Sequence, residues 1–300
     1  MRVLITGATG LLGARLVARL HGRGNKVVVT SRSPAKVTMA CERVVAWDGM
    51  GTFPRDHMGG VDAVVHLAGE SVAARRWSEA QKRRILESRV NSTRALVTAM
   101  GEAKRKPGVL VCASAVGFYG DTGARQVDED APAGTDFLAQ VCAAWEAAAA
   151  TVEAYGIRRV SVRLGVVLAR EGGALQKLLP VFKAGLGGKL GSGTQGFPWI
   201  HVDDAVGLLV HAVDTAATQG PLNAVAPAQD TNADFTAALA HALHRPAVFK
   251  VPGLALELAL GEMSQTLLGG QQVAPRQALQ SGYVFAQPVL DVALRQLVDR

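Results

Sequence analysis

Three glycines spaced three apart, in Thr6-Gly7-Ala8-Thr9-Gly10-Leu11-Leu12-Gly13, are the residues near the chain start with the clearest chemistry. They follow the apolar run Val3-Leu4-Ile5 and open a stretch with helical spacing through Leu20. The first glycine permits a tight turn, the second lets backbone approach a pyrophosphate, and the third lets helix pack on strand. The helix start adds unpaired N–H groups and a positive dipole end. Gly7, Thr9, Gly10, Leu11, Leu12 and Gly13 are therefore candidate phosphate contacts. Further on, Val27-Val28-Val29 runs into Thr30-Ser31-Arg32-Ser33. A site for a free ribose 2′-hydroxyl usually places a carboxylate there, and none is present. Ser31 and the Arg32 guanidinium suit a 2′-phosphate instead, because a hydrogen bond to a charged group is worth about 1.5–3 kcal/mol. The pattern implies NADP(H) as cofactor.

These residues need strands and helices to hold them. Strand-like runs at 3–5, 27–29, 44–46, 61–67, 109–112 and 160–162 alternate with helical patterns at 11–20, 79–100 and 137–154. That rhythm predicts an α/β fold, a Rossmann-type doubly wound parallel sheet with ligands at the carboxyl ends of its strands. After about residue 170 the rhythm loosens. Glycine and proline are frequent between 172 and 198, and helical patterns recur at 203–214, 232–243, 254–268 and 288–298. The expected division is an NADP(H)-binding domain over 1–170, with returning segments near 200–226. A smaller, mainly helical C-terminal lobe over 171–300 would close over the sheet from the substrate side.

With 300 residues and 49% hydrophobic content, the chain can bury a full α/β core. Its net charge of +7 gathers at Arg75, Arg76, Lys82, Arg83, Arg84 and Arg89, and again at residues 104–106. We read these as solvated helix faces, with a contribution to a field favouring a dinucleotide or anionic substrate as the alternative. No nucleic-acid motif accompanies them, so nucleic acid is not an expected partner. Cys41, Cys112 and Cys142 form no CxxC pair, which argues for reduced thiols in the cytoplasm rather than disulfides or zinc. His241 and His244 show no carboxylate partner in the sequence, so no metal is expected. No apolar run is long enough to span a bilayer; the nearest, 254–260, contains Glu257. A strand starting at Arg2 argues against a signal peptide. The expected protein is a cytoplasmic monomer or homodimer whose partner is a small molecule.

Several segments together resemble the extended short-chain dehydrogenase/reductase (SDR) superfamily. They are the glycine loop, Asp48, His66-Leu67-Ala68-Gly69, Asn91, Ser114, Arg163 and Trp199-Ile200-His201-Val202-Asp203-Asp204. The resemblance implies that Asp48 meets the adenine and that Leu67, Ala68 and Gly69 line the cofactor ribose. It also implies that the segment beginning at Leu164 passes near the nicotinamide. The sequence is more similar still to an atypical, sugar-nucleotide-epimerase-like branch with a C-terminal domain of unknown function. Leu67-Ala68-Gly69-Glu70, Trp77, Ser88-Arg89, residues 114–120, Trp145-Glu146 and Leu260-Gly261-Glu262 carry that similarity over essentially the whole chain.

The superfamily's usual proton relay is a Tyr with a Lys four residues later on one helix, in which the ammonium lowers the phenol pKa. Aligning Glu146 with the helical Glu of sugar-nucleotide epimerases puts Leu138 at the Tyr position and Cys142 at the Lys position. No other Tyr in the chain has a Lys four residues on. Ser114 and Tyr119 are the remaining catalytic candidates, Ser114 to bond a substrate carbonyl and Tyr119 to donate a proton. Glu70, Trp199 and His201 are candidates for the substrate side. Two functions stay open: an NADP(H)-dependent oxidoreductase or epimerase acting on a small carbonyl or sugar-like substrate, and a non-catalytic NADP(H)-binding sensor.

Overall fold

The computed structural model describes residues 1–299. Its strands are β1 (Arg2–Thr6), β2 (Lys26–Ser31), β3 (Arg43–Ala46), β4 (Ala63–His66), β5 (Val109–Ala115), β6 (Gln126–Val127) and β7 (Arg158–Leu164), then β8 (Val166–Ala169), β9 (Gly188–Leu190), β10 (Trp199–His201), β11 (Gly220–Ala224), β12 (Phe249–Val251) and β13 (Gln272–Val273). The helices are α1 (Leu11–Gly22), α2 (Glu79–Gly101), α3 (Phe137–Ala150), α4 (Gly173–Lys183), α5 (Val202–Asp214), α6 (Asn232–Ala242), α7 (Gly253–Leu260), α8 (Gln265–Leu268), α9 (Arg276–Gln280) and α10 (Leu290–Val298).

Seven strands form one sheet in the order β11-β7-β5-β4-β1-β2-β3. Strand order reverses beside β1, which pairs in parallel with β2 (Val3 against Val27) and β4 (Thr6 against His66). This is the doubly wound α/β sheet that the alternating pattern predicts, and its crevice opens at the carboxyl end of β1. Val3, Leu4, Ile5, Val28, Val29, Val64, Val65, Leu110 and Val111 are all fully buried, as strands covered on both faces require. Helix α1 buries Leu16, Val17 and Leu20 on one face. Helix α2 starts where the Ser78 side chain accepts the Gln81 N–H, and it buries Ile85, Leu96, Val97 and Met100.

The chain divides into two compact units, Met1–Ser114 with Val141–Val162 and Val206–Leu222, and Ala115–Gln140 with Arg163–Ala205 and Asn223–Arg300. The second unit has a core built on Leu168, Leu175, Phe182, Trp199, Phe235, Leu239 and Leu294. Alongside its helices it holds three two-stranded parallel ladders, β8 with β10, β9 with β12 and β6 with β13. The sequence reading missed these ladders, because runs of two to four residues carry no alternation to detect. The helix expected over 254–268 is interrupted at Gly261, whose φ of +63° is costly for any side-chain-bearing residue. No helix among the described residues is long and apolar enough to cross a membrane.

Candidate functional site

The glycine loop has the geometry its spacing implies. Gly7 sits at φ +69°, and a Cβ there would lie 2.8 Å from the Leu67 carbonyl carbon. A Cβ on Gly13 would lie 2.2 Å from the Gly7 oxygen, so strand and helix approach each other only because no side chain is present. Gly10 N–H closes the turn on the Gly7 carbonyl at 3.0 Å. The N-terminus of α1 has no side-chain cap and no acidic residue in its first turn. By contrast, α2 is capped by Ser78, and α6 carries a reciprocal capping box from Thr231 and Asp234. The open helix start, with Thr9 and Gly10 exposed and Leu11 and Leu12 half-buried, leaves N–H groups for an anion.

The ends of the neighbouring strands are tied to this loop. His66 is fully buried; its Nδ1 lies 2.6 Å from Thr6 Oγ1 and its Nε2 3.1 Å from Ser92 Oγ. Burial pushes its pKa down to about 3, so the ring is neutral. Thr6 Oγ1 also accepts the Ala68 N–H at 3.3 Å, and the Leu67 N–H goes to the Thr6 carbonyl. Leu67 and Ala68 are half-buried and Gly69 is exposed. At the end of β2, Ser31 Oγ accepts the Ser33 N–H at 3.0 Å, and the Arg32 side chain extends into solvent. Asp48, beyond β3, is exposed; its Oδ1 accepts the Met50 N–H, a bond that holds its carboxyl below the usual range.

Ser114 is 3% exposed and donates to Glu146 Oε1 at 2.7 Å. That bond commits its proton. While Glu146 is ionised, Ser114 can accept from a substrate hydroxyl but cannot donate to a carbonyl. The pairing with Glu146 escaped the sequence reading, because the two residues lie on different elements. Cys142, at the Lys position, is buried, and Leu138, at the Tyr position, is half-buried.

Tyr119, the expected proton donor, lies in a closed setting. Its ring is 3% exposed, and its hydroxyl donates to Asn223 Oδ1 at 2.7 Å and accepts from Arg163 Nη1 at 2.8 Å. Burial pushes the phenol up to about 12, away from working pH. Arg163 also stacks on Phe118, with Cζ 3.5 Å from the ring centre. Glu129 completes this buried group, accepting the Asn223 and Gln277 N–H groups through Oε1.

Two residues expected on the substrate side, Trp199 and His201, are buried. Trp199 is 1% exposed in the hydrophobic core, and its Nε1 donates to Asp230 Oδ2 at 2.7 Å. His201 is also 1% exposed; its Nδ1 accepts the Asp203 N–H at 3.1 Å and so caps α5. His241, expected to lack a carboxylate, has Asp291 Oδ1 at 3.0 Å. Glu70 is half-buried, with its N–H on Ser88 Oγ and its carbonyl accepting from Arg89. Leu164 ends β7 half-buried, followed by Gly165, whose N–H reaches the Ala224 carbonyl.

The comparisons with known proteins agree with this architecture. The model of the NAD dependent epimerase/dehydratase family matches residues 3–225, and that of a domain of unknown function (DUF1731) matches residues 251–297. The epimerase family protein SDR39U1 of Bos taurus is 41% identical over 305 residues, covering 99% of this chain and 100% of its own. The epimerase family protein YfhF of Bacillus subtilis is 37% identical over 299 residues, covering 99% of this chain and 98% of its own. Among solved structures, human epimerase family protein SDR39U1 with NADPH aligns with a TM-score of 0.90 at 37% identity, covering 100% of both chains. The UDP-glucuronic acid 4-epimerase of Bacillus cereus, at 18% identity and a TM-score of 0.80 over 100% of this chain and 98% of its own, shares the fold. A glycine loop that only bare backbone can build, the switch in strand order above it, and these matches over nearly the full length place the chain in the NAD dependent epimerase/dehydratase family.

Proposed function

We propose that the chain is an NADP(H)-dependent oxidoreductase or epimerase acting on a small carbonyl or sugar-like substrate. The observation that carries the cofactor assignment is the cradle at Gly7 and Gly13. Added Cβ atoms there would meet backbone at 2.8 and 2.2 Å, beside a helix start left without a cap. Gly7, Thr9, Gly10, Leu11, Leu12 and Gly13 would hold the pyrophosphate. Ser31 and Arg32 would hold the 2′-phosphate, and Asp48 the adenosine end. Leu67, Ala68, Gly69, Ser114 and Leu164 would take the remainder of the dinucleotide. A relative crystallised with NADPH supports the choice of coenzyme. When bound, the nicotinamide supplies or accepts a hydride.

The protein's share of the chemistry would fall to Ser114 and Glu146. Ser114 accepts the proton of a substrate hydroxyl as its own proton passes to Glu146 at 2.7 Å. In the reverse direction a protonated Glu146 returns the proton through Ser114 to a carbonyl oxygen. Glu70, half-buried beyond β4, would serve the substrate side. Free cysteines at 41, 112 and 142 support a cytoplasmic location.

The second reading is an NADP(H)-binding sensor without turnover. The closed hydroxyl of Tyr119 and the absence of a Tyr and Lys at 138 and 142 favour it. Rapid mixing of the protein with NADPH and a panel of aldehydes, ketones, quinones and nucleotide sugars separates the two. Oxidation of NADPH by one class is the expected outcome, and saturable NADPH binding with no oxidation across the panel would favour the sensor.

A further inference from the structure

Helix α7 carries apolar residues that the fold does not use. It reads Gly-Leu-Ala-Leu-Glu-Leu-Ala-Leu, with Glu257 its single charge. A helix this apolar is normally buried, and each other described helix of eight or more residues buries part of itself. Helix α7 buries none of its residues. Leu256 and Leu260 are half-buried on its inner side, while Leu254, Ala255, Leu258 and Ala259 are exposed together on the other. Its start is nonetheless fixed: the Pro252 carbonyl accepts the Ala255 N–H at 3.1 Å, and a Cβ on Gly253 would lie 3.4 Å from the Leu268 side chain. The apolar surface continues into β12, where Val248 and Phe249 are exposed, and to Leu186 just before β9. Arg245 Nε donates to the Lys183 carbonyl at 3.1 Å, and a Cβ on Gly188 would lie 2.2 Å from the Phe249 oxygen, so these two stretches run side by side. Every residue of this surface belongs to the second compact unit.

Leu186, Val248, Phe249, Leu254 and Leu258 are 51–81% exposed, and together they present on the order of 400 Å² of apolar surface. A stable interface covers about 800 Å² on each partner, an area that this patch reaches once its alanines and charged rim are included. Residues 254–260 read Leu-Ala-Leu-Glu-Leu-Ala-Leu in either direction. When two copies of α7 meet antiparallel about a two-fold axis, Leu254 and Leu258 of one copy face Ala259 and Ala255 of the other, large against small. The rim carries both signs of charge, Glu257 beside the leucines and Lys183, Arg245 and Lys250 around Phe249, all exposed. A two-fold contact can therefore pair its own rim charges. A lipid surface fits less well, because it would draw Glu257 out of water along with Leu254 and Leu258. Lys250, in the middle of β12, guards that strand against edge-to-edge pairing, which leaves side-chain packing as the mode of contact. We infer that the exposed face of α7 and β12 is where two copies of this chain associate, about a two-fold axis between their α7 helices.

The test is analytical ultracentrifugation of wild-type protein and of a double variant, Leu254→Lys with Leu258→Lys. Val284→Lys, which alters an exposed apolar residue outside this face, is the control. Wild-type protein and the control should sediment as dimers at about 10 µM, with the dissociation constant of the double variant raised by about a hundredfold or more. Wild-type protein that stays monomeric up to about 100 µM, or a double variant that stays dimeric at about 10 µM, would overturn the assignment. A monomeric wild-type protein that co-sediments with anionic phospholipid vesicles would overturn it in favour of a lipid surface. Should the double variant fail to fold, amide hydrogen exchange of the wild-type protein decides. Protection across 253–260 should rise with protein concentration, and protection independent of concentration overturns the assignment. None of these readouts depends on NADP(H), so the cofactor reading stands or falls separately.

Discussion

Two side chains that look alike as catalytic candidates in the sequence are set apart by their hydrogen bonds. Tyr119 spends its hydroxyl on Asn223 and Arg163 inside a buried group, whereas Ser114 donates its hydrogen bond to the Glu146 carboxylate. The consequence is a split between variants. Tyr119→Phe should cost about 1–3 kcal/mol of stability, since it strips partners from buried polar groups, and should leave NADPH oxidation intact. Ser114→Ala and Glu146→Gln should leave NADPH binding within a few-fold and remove turnover. Denaturant midpoints and single-turnover rates on the same preparations check both. Turnover lost in Tyr119→Phe but kept in Ser114→Ala would reverse the roles.

At the level of strands and helices, the turn joining β1 to α1 has the least tolerance. In Gly13→Ala the new methyl would sit 2.2 Å from the Gly7 oxygen and 2.7 Å from Ala8 Cα, both backbone atoms that cannot swing away. Overpacking of this kind costs about 1–3 kcal/mol, and here the strain falls on the loop meant for the phosphates. The variant should therefore lose NADPH affinity well beyond what its fall in melting temperature explains, measured by calorimetry and thermal denaturation together. This turn was legible from sequence because three glycines, a buried strand and an amphipathic helix all point to it. The strands of the main sheet up to β5 were legible for a similar reason: runs of Val, Leu and Ile buried on both faces leave a continuous apolar signature. The segment holding Trp199 and His201, a Trp-x-His beside two aspartates, looks the same in sequence whether it faces a ligand or a core. Only their burial separates the two cases. The Ser114–Glu146 and Arg89–Glu70 contacts join residues on different elements, and no periodicity reports such pairings.

Across the fold, the neutral His66 links cofactor loop and stability. It bridges β1, β4 and α2 through Thr6 and Ser92 while fully buried. Its pKa is lowered from 6.5 to about 3, so below pH 6.5 the unfolded chain takes up a proton that the folded chain refuses. Stability is full above that pH and should fall by about 1.4 kcal/mol per unit as pH drops towards 3. Urea midpoints at a series of pH values check this, with His66→Gln expected to show a shallower decline; equal slopes would remove His66 as the source. The same strand ends lead to the central claim, that the N-terminal strand-loop-helix unit holds NADP(H) and Arg32 chooses it over NAD(H). The most direct measurement is calorimetric titration of the wild-type protein and Arg32→Ala with NADPH and NADH. The expected result is one site per chain with NADPH bound more tightly, and a loss in Arg32→Ala of about tenfold or more for NADPH and little for NADH. Folded wild-type protein that takes up neither coenzyme, or equal losses for both in the variant, would contradict it.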